Sequence, residues 1–255
     1  MNLKDIQSEK DYRNIPINQV GVKDISYPIV VMDRSNGNQH TIAQINMYVE
    51  LPHDFRGTHM SRFIEILNIH RKGISTKMIP RILSDMKEQL DAERSFFEIR
   101  FPYFITKEAP VSKQRSKMEY IVTIYGDSAE NSYCFEVKVP VISLCPCSRE
   151  ISEYGAHNQR SYVKIKIKTA DIIWIEDLVE IAEKSASGEI YPLLKREDEK
   201  YITEKTYQNP MFVEDIVRCT AEKLQIDKRI LFFEIESENI ESIHNHSAYA
   251  RIISR

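Results

Sequence analysis

Several absences narrow what this chain can do. No apolar run approaches the ~20 residues needed to cross a bilayer, and the longest, such as Tyr27 to Met32, are short and strand-like. The N-terminus carries no signal-peptide core, so a soluble, cytoplasmic protein with no membrane partner is expected. A strong charge of either sign is also missing. Lys and Arg number 35 against 38 Asp and Glu, a net charge of -3, which gives no bulk attraction to nucleic acid or acidic lipid. Cysteine is scarce. Four in 255 residues are too few for a disulfide scaffold, and in a reducing compartment they read as core thiols or metal ligands.

What is present is a foldable core. Hydrophobic residues make up 42% of the chain, enough for one large domain or two smaller ones. Residues 20–32 and 40–51 read as strands; in the second, Ala43, Ile45, Met47, Val49 and Leu51 alternate with Gln44, Asn46 and Glu50. Met60, Phe63, Ile64 and Leu67 then fall at helical spacing, as do Ile82, Leu83, Met86 and Leu90. Strand patterns return at 95–105 and 117–125.

The second half repeats the order. Strands are expected at 132–143 and 161–169, where Val163, Ile165 and Ile167 alternate with the wet-face lysines Lys164, Lys166 and Lys168. Helices are expected at 175–187 and 210–225, the latter with Asn209 as cap and Pro210 in its first turn. Its buried stripe is Phe212, Val213, Ile216, Val217 and Leu224. Strands at 229–236 and 243–253 close the set. The chain reads as a tandem duplication of one ββααββ unit: an N-terminal extension over 1–19, a first unit over 20–128 and a second over 129–255. Assembly of several copies is one way to cover the sheet edges.

Ligand-type residues cluster near the ends of second-half elements: Cys145 and Cys147 in Ser-Leu-Cys-Pro-Cys-Ser, His157 in Gly-Ala-His-Asn-Gln-Arg, and His244 and His246 in His-Asn-His. Thiolate and imidazole suit Zn²⁺ or a similar borderline ion. Cys-x-Cys is weaker than paired Cys-x-x-Cys knuckles, and no second pair closes a structural zinc site, so an open, catalytic site is favoured. Each residue also has a plainer reading. The two cysteines could be small buried hydrophobes, and His157 an exposed loop residue beside Gly155. His244 and His246, two apart, would share one face of a strand. Cys134 and Cys219 read as core thiols.

The run Leu51-Pro-His-Asp-Phe-Arg-Gly-Thr-His-Met-Ser-Arg-Phe-Ile-Glu, with Ser143-Leu-Cys-Pro-Cys-Ser and Tyr154-Gly-Ala-His-Asn-Gln-Arg, resembles the bacterial type IB GTP cyclohydrolases. The resemblance extends from Gly21-Val-Lys-Asp to His244-Asn-His. It implies an α+β tunnelling fold of two tandem units, assembled into barrels as a homotetramer with active sites between subunits. It implies one divalent ion per site, Zn²⁺ or Mn²⁺/Fe²⁺, held by Cys145, His157, Glu199 and His244. On composition alone Lys195-Arg-Glu-Asp-Glu-Lys200 reads as a charged loop, and Glu197 and Asp198 are rivals of Glu199.

For the substrate, the resemblance implies that Glu214 holds the guanine edge of GTP through two parallel hydrogen bonds. Taken alone, Glu214 is an ordinary first-turn glutamate favoured by the helix dipole, with Asp215 as its control. The implied reaction is attack of water, activated by the metal, on C8 of GTP. Ring opening, formate release and reclosure to 7,8-dihydroneopterin triphosphate follow, the first step toward tetrahydrofolate and a modified tRNA base. His246 is the first choice for moving protons, with Cys147 and Glu241 as helpers and Cys145 at the metal. Arg62, Arg149 and Arg160 are candidates for the triphosphate. Two alternatives stay open: a related cyclohydrolase giving a cyclic phosphate of dihydroneopterin, and a non-enzymatic, metal-stabilised assembly protein.

Overall fold

The alternation of Ala43, Ile45, Met47 and Val49 places four side chains, each at most 1% exposed, on one face of a strand, and the structure is organised around faces of this kind. The computed structural model of the chain describes residues 6, 7, 9–70, 78–130 and 132–254. Residues 1–5 and 8 of the expected N-terminal extension lie outside them. The chain divides into two compact units, Met1–Pro102 with Thr123–Phe135, and Tyr103–Val122 with Glu136–Arg255.

In the first unit, β1 (Ile17–Asp33) pairs antiparallel with β2 (Gly37–Leu51), and β2 with the start of β3 (Ser95–Glu108). Helices α1 (Met60–His70) and α2 (Ile79–Leu90) turn Phe63, Ile66, Leu67, Ile82 and Met86 into the core. α2 stops at Asp91, which adopts the left-handed conformation and returns its N–H to the Lys87 carbonyl.

β3, β4 (Arg115–Asp127) and β5 (Ser132–Leu144) each carry residues of both units, and with β6 (Asn158–Thr169), β8 (Ile230–Ile240) and β9 (Ser247–Ile253) of the second they follow the order β3-β4-β5-β6-β8-β9. A two-residue strand, β7 (Gly188–Glu189), pairs with β5. Gly188 is required there, because a Cβ would lie 2.4 Å from Thr206 Cγ2. The helices are α3 (Pro146–Ile151), α4 (Ile175–Glu183), α5 (Arg196–Gln208) and α6 (Val213–Ile226). Leu178 and Ala182 of α4 and Ile216 and Leu224 of α6 are buried, as are Val163, Ile165 and Ile167 of β6 and Phe233 and Ile235 of β8. On the opposite face Lys164 and Lys166 stand across from Glu236 and Glu234. β9 pairs with β8 along one edge only among the described residues, and its burial alternates between exposed and half-buried.

Five local expectations change. Phe212, expected in the buried stripe of the last helix, is 41% exposed and stands just before α6. Residues 195–200 are not a loop but the entry to α5. Asn209 closes α5 rather than capping α6; its side-chain amide donates to the Ala186 carbonyl at 3.0 Å, and α6 starts three residues after Pro210. His244 and His246 lie in the β8–β9 loop instead of on a strand, since pairing resumes only at Ser247. Cys134 and Cys219 are half-buried rather than core residues.

Candidate active site

Three of the expected site residues sit at one end of β5, β6 and β8. Cys145 follows β5, His157 precedes β6 and Glu241 follows β8. The β6–β8 register, Ser161 opposite Asn239, brings the last two together. The Cys145 N–H donates to the His157 carbonyl at 3.1 Å, so the two loops are joined through backbone. Cys145 is also the N-cap of α3: its Sγ accepts the Ser148 N–H at 3.4 Å. Pro146 in the first helical turn has no N–H to leave unpaired there. Gly155, at φ 148°, supplies a backbone conformation that side-chain-bearing residues rarely adopt in the loop leading to His157.

The imidazole of His157 is held from one side. Its Nδ1 lies 3.0 Å from Gln159 Oε1, 3.5 Å from Ser242 Oγ and 3.9 Å from Glu241 Oε2. Gln159 is only 7% exposed, and its Nε2 donates to Ser143 Oγ at 3.3 Å and to Glu241 Oε1 at 3.4 Å. Asn239 Nδ2 also donates to Ser143 Oγ, at 3.0 Å, and that hydroxyl donates to the Met211 carbonyl at 3.1 Å. The Met211 N–H in turn donates to the Leu144 carbonyl, which seats the segment before α6 on the end of β5. Gln159 was missed by pattern reading, although stepping back by twos from Val163 through Ser161 reaches it on the buried face.

The remaining expected residues are placed as follows. His244 and His246 are exposed and stack on each other, ring centroids 5.1 Å apart and 19° from parallel. Cys147 is exposed in α3. Glu199 is exposed in the first turn of α5. Its rival Asp198 is fully buried and committed: it accepts the Val111 and Ser112 N–H groups at 2.8 and 2.9 Å, the Ser112 hydroxyl at 2.5 Å and the Lys195 N–H at 2.8 Å. Burial pushes the Asp198 carboxyl up, but those hydrogen bonds outweigh it and hold the group well below the usual carboxylate range.

Glu214 is exposed at the start of α6, while Asp215 accepts the Phe212 N–H at 3.0 Å and caps the helix. Arg149 lies over the Tyr207 ring at 5.0 Å, beside a cavity of about 610 Å³ lined by Tyr154, Gly155, Ala156, Asn158 and Thr203. Arg160 is exposed and borders a second cavity, about 410 Å³, with Glu189 and Tyr191. Arg62, in the other unit, donates to the Gln89 carbonyl at 2.7 Å.

The donor chemistry at Cys145 and His157 fits a borderline divalent ion. Both side chains are half-buried, and Gln159 Oε1 faces His157 Nδ1. Among the described residues of one chain, however, no three Cys, His, Asp or Glu side chains form a group that could hold a metal.

Comparison with known proteins adds the family. The description Type I GTP cyclohydrolase folE2 matches residues 3–250. The GTP cyclohydrolase FolE2 of Geotalea uraniireducens is 55% identical over 251 residues, covering 98% of this chain and 93% of its own. That of Thermosipho africanus is 53% identical over 254 residues, covering 99% and 98%. Among solved structures, a highly active mutant urate oxidase from Bacillus sp. TB-90 aligns with a TM-score of 0.55 at 10% identity, over 93% of this chain and 99% of its own. Urate oxidase from Bacillus subtilis 168 aligns at 0.53 and 8%, over 92% and 98%. At such identities the likeness shows the fold alone, and it bears out the expected α+β tunnelling fold.

Proposed function

The chain belongs to the type I GTP cyclohydrolase folE2 family, the type IB GTP cyclohydrolases, and on that premise we propose that the ends of β5, β6 and β8 form the half of a shared active site that one subunit supplies. GTP is the substrate of this family. The reaction is hydrolytic addition at C8, opening of the imidazole ring, loss of formate and reclosure of the rearranged ribose to 7,8-dihydroneopterin triphosphate. A cytoplasmic setting accords with the absence of any helix, among the described residues, long and apolar enough to cross a membrane.

The observation that carries the site is the seating of His157, whose ring is tied to the carboxylate of Glu241 through the buried amide of Gln159 on β6. Cys145, His157, Glu199 and His244 are the proposed holders of one divalent ion. Such an ion, Zn²⁺ or Mn²⁺/Fe²⁺, would lower the pKa of water and polarise the reacting purine. The proposed roles of the chain's own groups are these: His246 moves protons, Glu241 and Cys147 assist, Glu214 pairs with the guanine edge, and Arg149, Arg160 and Arg62 serve the triphosphate. With Glu199 and His244 exposed in a single chain, a site completed by neighbouring subunits of a homotetramer is the reading that supports all four donors. The two sequence units at 20–128 and 129–255 are proposed as the duplicated halves of that assembly.

The test is incubation of purified protein with GTP, following formate and pterin fluorescence, with Cys145→Ala beside Cys134→Ala. Metal content and activity should fall together in the first and stay near wild type in the second. Full metal occupancy in Cys145→Ala would remove Cys145 from the set.

A further inference from the structure

We propose that Gln159 is a positioning residue that locks His157 in the Nδ1–H tautomer and so aims its Nε2 lone pair into the site; this rests on reading His157 as a metal donor. Ser143 anchors the network. Its hydroxyl accepts from Gln159 Nε2 and from Asn239 Nδ2 and donates its only proton to the Met211 carbonyl, so its capacity is filled. Gln159 Nε2 therefore faces two acceptors, that hydroxyl and the Glu241 carboxylate. Rotating the amide by half a turn would put its oxygen against both, with no proton between them. The orientation is thus set by the network. Gln159 Oε1, an acceptor only, is what faces His157 Nδ1 at 3.0 Å, and Nδ1 must carry the proton. Ser242 Oγ at 3.5 Å and Glu241 Oε2 at 3.9 Å stand farther from Nδ1, where any hydrogen bond is weaker.

The same network reaches the proposed guanine anchor. Ser143 holds the Met211 carbonyl, and α6 with Glu214 begins two residues later. One buried amide thereby ties the orientation of His157 to the placement of Glu241 and braces the approach to the substrate helix.

The experiment is nitrogen NMR of ¹⁵N-histidine-labelled full-length protein, stripped of metal by chelation, followed by titration with Co²⁺, whose thiolate charge-transfer band reports the site. Wild type should show His157 protonated at Nδ1 before any metal is added. Gln159→Leu should shift it toward the Nε2–H form and weaken Co²⁺ binding by roughly 10–100-fold. Far-UV circular dichroism and thermal melting of Gln159→Leu should match wild type, so that a loss of folding cannot imitate the result. A wild-type His157 protonated at Nε2, or a Gln159→Leu protein with unchanged tautomer and affinity, would overturn the proposal. Co²⁺ binding indifferent to His157→Ala would instead remove the metal reading, and the two failures are separable because the tautomer is measured without metal.

Discussion

Side by side in the first turn of α6, Glu214 and Asp215 have the same charge and different jobs. Asp215 accepts the Phe212 N–H and approaches Arg218 at 3.8 Å, so it belongs to the helix. Glu214 is left exposed, and its proposed partner is the guanine edge. Glu214→Gln keeps the shape but sets a donor against the N–H donors of guanine, leaving groups unpaired at about 1–3 kcal/mol. Calorimetric titration with GTP should show that loss, while metal content stays at the wild-type level. His246→Ala should do the reverse of a binding defect: GTP and metal remain, and single-turnover chemistry slows by roughly 10²–10⁴-fold. Loss of metal in that variant would mean that His244 and His246 have exchanged roles, which their stacked rings make a fair contest. At this scale the sequence singles out residues that carry their own chemistry, and the structure brings three of them, Cys145, His157 and Glu241, to one end of β5, β6 and β8. The sequence was not readable at Gln159 and Ser143, whose importance lies in whom they touch across β5, β6 and β8.

Most elements were legible because one face of each is apolar and the other polar. β2, β3, β6 and α2 follow from period alone. α5 escaped because Arg-Glu-Asp-Glu-Lys carries no apolar stripe; its burial is confined to Asp198 and Thr206. The available signal was electrostatic, three acids in the first turn and Lys205 in the last, in the order a helix dipole favours. The helix is instead held by the four hydrogen bonds of Asp198, and its pH dependence follows. The folded carboxyl is held below its unperturbed value of 3.8, so the contribution is fully present above that value and is lost as pH falls through the folded one. Asp198→Ala should therefore lower Tm near neutrality and reduce activity through Glu199. The Tm gap to wild type should narrow on going from about pH 7 to about pH 3; a constant gap would show that the carboxylate's charge is irrelevant. The lysine face of β6 teaches a different lesson. A slip of two residues against β8 would still set Lys164, Lys166 and Lys168 opposite Glu238, Glu236 and Glu234, so charge does not choose the register. Val163, Ile165 and Ile167, with the irregularity at Lys168/Thr169, must do so.

For the whole molecule, the α+β duplication was legible because its order of elements recurs, but assembly was not, since no residue of a single chain announces its neighbour. A homotetramer is proposed from the resemblance and from a donor set that one chain leaves open. Sedimentation should give four chains per particle, and a fully active monomer would rule out shared sites. The one-sided pairing of β9 then has a thermodynamic consequence. If the edge of β9 left unpaired among the described residues, and the loops beside it, are completed by another copy, the functional unit is a product of mass action rather than of folding alone. Turnover per chain would rise with protein concentration, fade on prolonged dilution and return on reconcentration, while helix and strand content within each chain stayed unchanged.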